Sequence, residues 1–279
     1  MRIGQVSYLN TRPVYYGLEQ GAVTKGEEWS LIEGTPSALN SKLSSGELDI
    51  SVVSSVEYAR HWRDYRILPH LCIGSDGEVK SVLFFSKLPL KELEGKEVWL
   101  TKSSLTSKTL VKWIFEERGV TPLYREFALG EEVFLNTHTQ AVLLIGDEAL
   151  KKRESGIFPY VSDLGSYWKG KTGLPFVFAL WCVRGPVVQA KPKEVTRVWR
   201  ALLSSREYSM SRLEEISCLC HSQVSLSQAQ CRDYLGGLDF DLTSAHIQGM
   251  KLFFSMLEEK SLIPQKPPLN FFPPLEEKL

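Results

Sequence analysis

The sequence predicts an α/β fold of two hinged lobes with a ligand cleft between them, and three observations predict it. Short apolar strand-like runs alternate with helix-like runs through the first two thirds of the chain. Hydroxyl-rich helix starts recur directly after such strands. Two apolar β-type segments, 81–86 and 175–183, bracket a middle stretch, so the chain would leave a first lobe and later return to it. The predicted division is a first lobe of 1–86 plus 178–279, which includes the C-terminal helices, and an inserted lobe of 87–177.

In chain order, strands are predicted at 2–7, 49–53, 82–86, 97–101 and 141–145, each short and rich in Val, Ile and Leu as strands covered on both faces are. A helix is predicted over 35–45. Thr35 can cap it, Pro36 fits the first position where its missing N–H costs nothing, and Gly46 can end it. Ser54 and Glu57 have capping-box spacing directly behind a strand. Ser103 to Ser107 opens a third helix, with Leu110, Val111, Ile114 and Phe115 at helical spacing and Gly119 as its stop. From Pro192 onward the pattern is helical, through Val195, Val198 and Leu202, then Leu213 and Ile216, then Ile247 to Leu257. The Pro-rich tail, 264–274, is expected to lie extended over the surface.

Composition narrows the function classes. In 279 residues, 33 Lys and Arg balance 33 Asp and Glu. A neutral chain has no long-range field drawing it to phosphate backbones or anionic lipid, so no nucleic-acid or membrane partner is expected. The start lacks the apolar stretch of a signal peptide, and no run approaches the length of a membrane span, so a cytoplasmic protein is predicted. Five cysteines, an odd number in a chain able to bury a real core, are expected to be reduced.

Exposed N–H groups and the positive helix end make each hydroxyl-rich start an anion site as well as a cap. Three of them, at 35–37, 54–55 and 103–107, follow predicted or candidate strands in an α/β pattern, where ligands sit outside the carboxyl ends. A small carboxylate is the expected ligand, and a multiply charged one fits better. Cys218-Leu219-Cys220-His221 with Cys231 lacks zinc-finger spacing, so no metal is predicted. Gly74-Ser75-Asp76-Gly77 reads as a turn without the Lys of a P-loop. His61, His70, His138, His221 and His246 stand in no triad-like motif, and no G-x-S-x-G elbow occurs. Asp147, just after a buried strand and Gly146, sits where cleft residues sit, and it can equally cap a helix.

The segments Val6-Ser7-Tyr8-Leu9-Asn10-Thr11-Arg12-Pro13, Gly46-Glu47-Leu48-Asp49 leading to Ser54-Ser55-Val56-Glu57-Tyr58-Ala59, Ile73 to Gly77, Leu100 to Ser107, Ile145 to Leu150 and Asp163 to Ala179 together resemble the chorismate dehydratase family. The likeness runs in matching order over about 1–184, with a looser match in the helical third. It implies a two-lobed type II periplasmic-binding-protein-like fold used as an enzyme, and a cofactor-independent hydro-lyase reaction. In that reaction chorismate loses water to give 3-[(1-carboxyvinyl)oxy]benzoate in the futalosine route to menaquinone. The sister 1,4-dihydroxy-6-naphthoate synthases open with a Ser-Pro-Cys-Pro-Asn-Asp type motif, which Ser7-Tyr8-Leu9-Asn10-Thr11 does not match. A receptor for a small carboxylate is the reading from another class, and it would require export.

The resemblance implies site roles. Ser104, Thr106 and Ser107 are expected to bind one carboxylate from the inserted lobe, with Ser54, Ser55 and Ser37 facing it from the other. Asn10 can position the leaving hydroxyl, but an amide is no general base. Asp147, Glu57 and the substrate's own enolpyruvyl carboxylate are the candidate bases, with the reading leaning to the substrate. Tyr8, Trp168 and Phe176 are expected to wall the ring, and Ser81 to add a polar contact. A monomer or homodimer is expected.

Overall fold

The computed structural model describes residues 1–128, 130, 131, 133, 139–153 and 155–275; His138 lies outside the described residues. Two five-stranded sheets organise the chain. The first is built from β1 (Arg2–Val6), β2 (Ser30–Gly34), β3 (Ile50–Ser54), β4 (Tyr65–Ser75) and β10 (Phe176–Arg184) in the order β2-β1-β3-β10-β4. Strands β1, β2 and β3 are parallel, while β10 runs antiparallel to both β3 and β4. The second sheet holds β5 (Val82–Ser86), β6 (Glu97–Thr101), β7 (Leu123–Phe127), β8 (Ala141–Ile145) and β9 (Tyr160–Asp163), in the order β7-β6-β8-β5-β9.

The five predicted strands form at nearly the predicted places. The first lobe boundary, however, moves: β5 pairs with β8 and β9 in the second sheet, so the chain crosses before Val82 and not after Ser86. The apolar character of 82–86 marked a buried strand, and both sheets bury one. Strands β2, β7 and β9 were not legible because each lies at a sheet edge with exposed positions and lacks a continuous apolar run. Strand β4 hides behind Pro69 and His70, the latter at φ 59°.

The helix starts follow local chemistry. Helix α1 (Arg12–Glu19) opens behind Thr11, which stands at its N-cap position, with Pro13 in its first turn. Thr35 caps α2 (Pro36–Ser45) and Gly46 ends it at φ 86°. Ser54 caps α3 (Ser55–His61) by accepting the Glu57 N–H, and Ser104 caps α4 (Leu105–Arg118) by accepting the Ser107 N–H. Each such cap contributes roughly 1 kcal/mol. Glu57 does not complete a capping box; its carboxylate lies 3.5 Å from His61. Helix α5 (Gly146–Lys152) follows β8 directly.

Two segments join the lobes, 76–81 and the stretch carrying α6 (Leu164–Thr172). Asp163 stitches them together: its carboxylate accepts the Val79 N–H at 3.1 Å, the Lys80 N–H at 2.7 Å and the Ser166 N–H at 3.0 Å. Gly165 is required there, since a Cβ would stand 2.2 Å from the Gly77 carbonyl oxygen.

The last third is helical as predicted, with α7 (Gly185–Ala190), α8 (Pro192–Met210), α9 (Leu213–Cys220), α10 (Gln228–Gly236) and α11 (Ser244–Glu259). Helix α8 packs on α1, where Gly17 lets Ser205 approach closely, and α11 packs on β10. The tail runs along β4, with Ile67 N–H donating to the Asn270 carbonyl at 2.7 Å and Tyr58 hydroxyl to the Pro268 carbonyl at 2.8 Å. Among the described residues no helix is long and apolar enough to cross a membrane, and no group of three His, Cys, Asp or Glu is placed to hold a metal.

Candidate active site

The carboxyl ends of β1, β3, β6 and β8 point toward one region between the sheets, and the segments that follow them line a narrow cavity of about 70 Å³. Val52, Val53, Ile73, Phe178 and Ala179 give it an apolar floor from the first lobe, and Val82 and Ile145 continue it in the second. Polar groups enter from the helix starts: Tyr8, Asn10 and Thr11 on one side, Ser54 below, and Ser103, Ser104 and Ser107 opposite. Among the described residues, no Asp, Glu, His, Lys or Arg lines this cavity.

The α4 start is the strongest anion-facing element. Ser104 Oγ accepts the Ser107 N–H at 3.1 Å and donates to Ser107 Oγ at 2.8 Å, while Ser103 N–H is held by Thr101 Oγ1 at 3.2 Å. The first amides of a helix have no partner inside it, so a 14-residue helix presents both N–H donors and its dipole to whatever occupies the cavity.

The opposite wall is the 3-10 turn Leu9–Thr11 with Tyr8 before it. Thr11 Oγ1 ties the turn by donating to the Val6 carbonyl at 2.7 Å and the Tyr8 carbonyl at 3.0 Å. Asn10 Oδ1 is buried with no hydrogen-bond partner among the described residues, which is costly unless a ligand supplies one, and the Tyr8 hydroxyl is buried with only the Ser103 hydroxyl beside it. The Tyr8 ring lies on Gly146: a Cβ at 146 would stand 3.0 Å from it, and Gly146 sits at φ 58°, with its N–H donating to the Ser81 carbonyl at 2.7 Å. Burial raises the Tyr8 pKa, opposed by the nearby Ser103 hydroxyl, so the phenol stays protonated.

The lobes are joined directly across the cleft. Leu9 N–H donates to Asp147 Oδ1 at 3.1 Å, and Val56 N–H donates to Thr106 Oγ1 at 3.0 Å. Burial raises the Asp147 carboxyl above its usual value, opposed chiefly by that Leu9 N–H. Burial likewise raises Glu57, against the pull of His61 and Arg60.

Of the residues singled out from the sequence, Tyr8, Asn10, Ser54, Ser104 and Ser107 line the cavity. The others lie elsewhere, each for a physical reason. Asp147 faces the cleft region but spends its carboxylate on Leu9 and is no part of the lining. Thr106 is fully buried as the partner of Val56, and Ser55 is buried donating to the Val177 carbonyl at 2.6 Å. Ser81 is buried with its hydroxyl toward the Val79 carbonyl, and Ser37 is exposed beside Thr35. Trp168 and Phe176 do not wall a ring; they pack edge-on against Phe253 in the core, with centroids 5.6 and 4.9 Å from its ring. Glu57 is buried beside His61 away from the cavity. Cys220 and Cys231 are buried and Cys218 is exposed, all three as free thiols.

Ser103, Thr11, Gly146 and Phe178 were missed. Ser103 and Thr11 stood inside motifs already singled out, so their hydroxyls were available signals. Phe178 became a lining residue through the register shift of β10 against β4 between Val177 and Ala179, which no local pattern announces.

Comparison with known proteins adds the chemistry. A family model described as "Menaquinone biosynthesis" matches residues 1–259. A chorismate dehydratase of Thermus thermophilus is 30% identical over 271 residues, covering 91% of this chain and 94% of that protein. One from Campylobacter jejuni is 30% identical over 187 residues, covering 66% of this chain and 68% of that protein. Among solved structures, protein AF1704 from Archaeoglobus fulgidus aligns with a TM-score of 0.78 at 18% identity, covering 94% and 98% of the two chains. The alkanesulfonate-binding protein SsuA from Xanthomonas axonopodis pv. citri aligns with a TM-score of 0.70 at 13% identity, covering 96% and 95%. These two likenesses show the fold, that of the periplasmic binding proteins.

Proposed function

The chain belongs to the menaquinone-biosynthesis family, and we propose from the geometry of its cavity how it carries out the family's chorismate dehydratase reaction. That reaction is a hydro-lyase step: chorismate loses water and becomes 3-[(1-carboxyvinyl)oxy]benzoate. The two-lobed fold of a binding protein here serves an enzyme.

The single observation that carries the mechanism is a cavity whose described lining holds hydroxyls, an amide and helix N–H groups but no carboxylate, imidazole or amine. None of the described lining residues is an ordinary general base, so in this reading the proton goes to the substrate. The enolpyruvyl carboxylate takes the proton from the ring carbon that bears its own ether oxygen. The electron pair left behind spreads through the diene onto the ring carboxylate. The bond to the neighbouring hydroxyl then breaks, that oxygen takes the proton from the enolpyruvyl carboxyl group, water leaves and the ring becomes aromatic.

The protein's part is orientation and electrostatics. Ser104, Ser107 and the first amides of α4 hold the ring carboxylate as its charge grows, and Ser103 adds a hydroxyl beside Tyr8. Asn10 Oδ1, buried without a partner, accepts the hydrogen bond of the departing hydroxyl and fixes its direction. The apolar floor holds the ring, and closure of the lobes keeps bulk water from the carbanion. Asp147 is a positioning residue, since it fixes Leu9 and through it the turn that carries Asn10.

The lobes divide as 1–75 with β10 and the C-terminal helices, and 82–163, each around its own sheet. The five free thiols support a reducing, cytoplasmic setting. The cavity is built from one chain, so a monomer or homodimer without a nucleic-acid partner suffices. The test is turnover of chorismate by chelator-treated protein, followed by chromatography and mass spectrometry. Appearance of the enolpyruvyl benzoate above the spontaneous rate is the expected result; binding without conversion would overturn the proposed function.

A further inference from the structure

A second cavity, of about 350 Å³, opens at the other end of α5 from the catalytic one. Its walls come from three parts of the fold: Glu78 and Lys80 on the first crossover, Lys151 and Arg153 at the end of α5, and Gln230, Asp233 and Tyr234 on α10. Its chemistry is the reverse of the catalytic cavity, because three cationic side chains line it.

The acidic groups of this cavity already have partners. Glu78 is ion-paired with Arg153 Nη2, and Asp233 accepts from Arg232 at 3.1 Å. Lys80 and Lys151 have no carboxylate within ion-pair distance among the described residues. Arg153 Nη1 is buried with no hydrogen-bond partner among the described residues, and Tyr234, only 2% exposed, closes the inner wall with its hydroxyl beside Ser81. Lys80 is also fixed at its backbone, at φ 62° with its N–H on Asp163 at 2.7 Å. Two lysines without a carboxylate partner beside a buried guanidinium nitrogen that lacks an acceptor are what a bound oxyanion would satisfy.

The geometry points to an anion site here, taking a small oxyanion of two or more negative charges such as phosphate or a phosphate monoester, held by Arg153 Nη1 with Lys80 and Lys151. Its occupant ties the crossover to α5 and α10. Helix α5 begins with Gly146 at the catalytic cavity, so the two sites share one two-turn element.

The test is thermal unfolding of the full chain in rising inorganic phosphate, against sodium chloride at matched ionic strength. The expected result is a saturable rise in Tm of several degrees with phosphate, absent in Lys80→Ala/Lys151→Ala and kept in Ser104→Ala. Both lysines reach solvent, so the double variant is expected to fold, and Lys151→Gln alone serves as a milder version that should weaken the midpoint about tenfold. A rise no larger than the chloride control, a rise that persists in the double variant, or one that Ser104→Ala removes would each overturn the site. Repeating the titration with glycerol 3-phosphate separates the sources: a tighter midpoint assigns the site to a monoester, a weaker one to the free ion.

Discussion

Thr106 Oγ1, at the start of α4 in the second lobe, accepts the backbone N–H of Val56, at the start of α3 in the first, at 3.0 Å and fully buried. The same two helix starts bring Ser54 and Ser104 to the cavity, so this hydrogen bond sets the distance between its walls. Thr106→Val keeps the shape and leaves the Val56 N–H buried without a partner, which costs about 1–3 kcal/mol. The expected outcome is a folded protein, by circular dichroism, with lower Tm and a KM for chorismate raised about tenfold.

Asn10 carries the sharpest catalytic expectation. Its Oδ1 has no partner among the described residues, so Asn10→Ala removes an unsatisfied acceptor and should leave Tm within a few degrees of wild type. Loss of one preorganised contact to the departing hydroxyl should lower kcat about 100-fold or more. Near-normal kcat in that well-folded variant would remove Asn10 from the mechanism.

Asp147 separates a base from a positioning group. Its folded pKa is raised, so the folded protein holds the proton to higher pH than the unfolded chain does. As pH rises from the unfolded carboxylate value through the raised folded one, the unfolded state ionises first and stability falls. Asp147→Asn keeps an acceptor for Leu9 and removes the buried charge, so Tm at pH 7 should equal or exceed wild type and kcat should fall less than about tenfold, against the roughly 100-fold or greater loss that removing a general base brings. A near-complete loss of turnover in Asp147→Asn would make it the base.

Gly146→Ala places a Cβ 3.0 Å from the Tyr8 ring at φ 58°. Backbone strain and the displaced ring together should cost about 1–3 kcal/mol of stability. Because Tyr8 precedes the turn that carries Asn10, kcat should fall as well. The check is Tm and kcat measured on the same preparation.

The pH profile follows from the lining. With Tyr8 pushed up and no described carboxylate, imidazole or amine in the cavity, substrate-assisted transfer predicts a kcat that is flat between about pH 6 and 9, because none of the described lining residues changes charge there. A bell-shaped profile with a limb in that range would contradict substrate-assisted proton transfer.

Much of this protein was written locally in its sequence. Strands at β1, β3, β5, β6 and β8 follow from short buried apolar runs, and the starts of α2, α3 and α4 from Thr35, Ser54 and Ser104, because caps and periodicity depend on residues three or four apart. The cavity's hydroxyl lining and the place of Asn10 were legible for the same reason, once the α/β alternation put strand ends beside helix starts. Tertiary structure decided what local pattern does not carry. Which sheet takes β5 depends on its partners β8 and β9, not on its own residues, and edge strands β2, β7 and β9 exist only because a neighbour offers them hydrogen bonds. Ser55, Thr106, Trp168 and Phe176 had the right chemistry for a site, yet packing against Val177, Val56 and Phe253 turned them inward. Asp147 became a clasp for Leu9 in the same way, since a side chain's role is fixed by the nearest group across the cleft, 138 residues away in sequence.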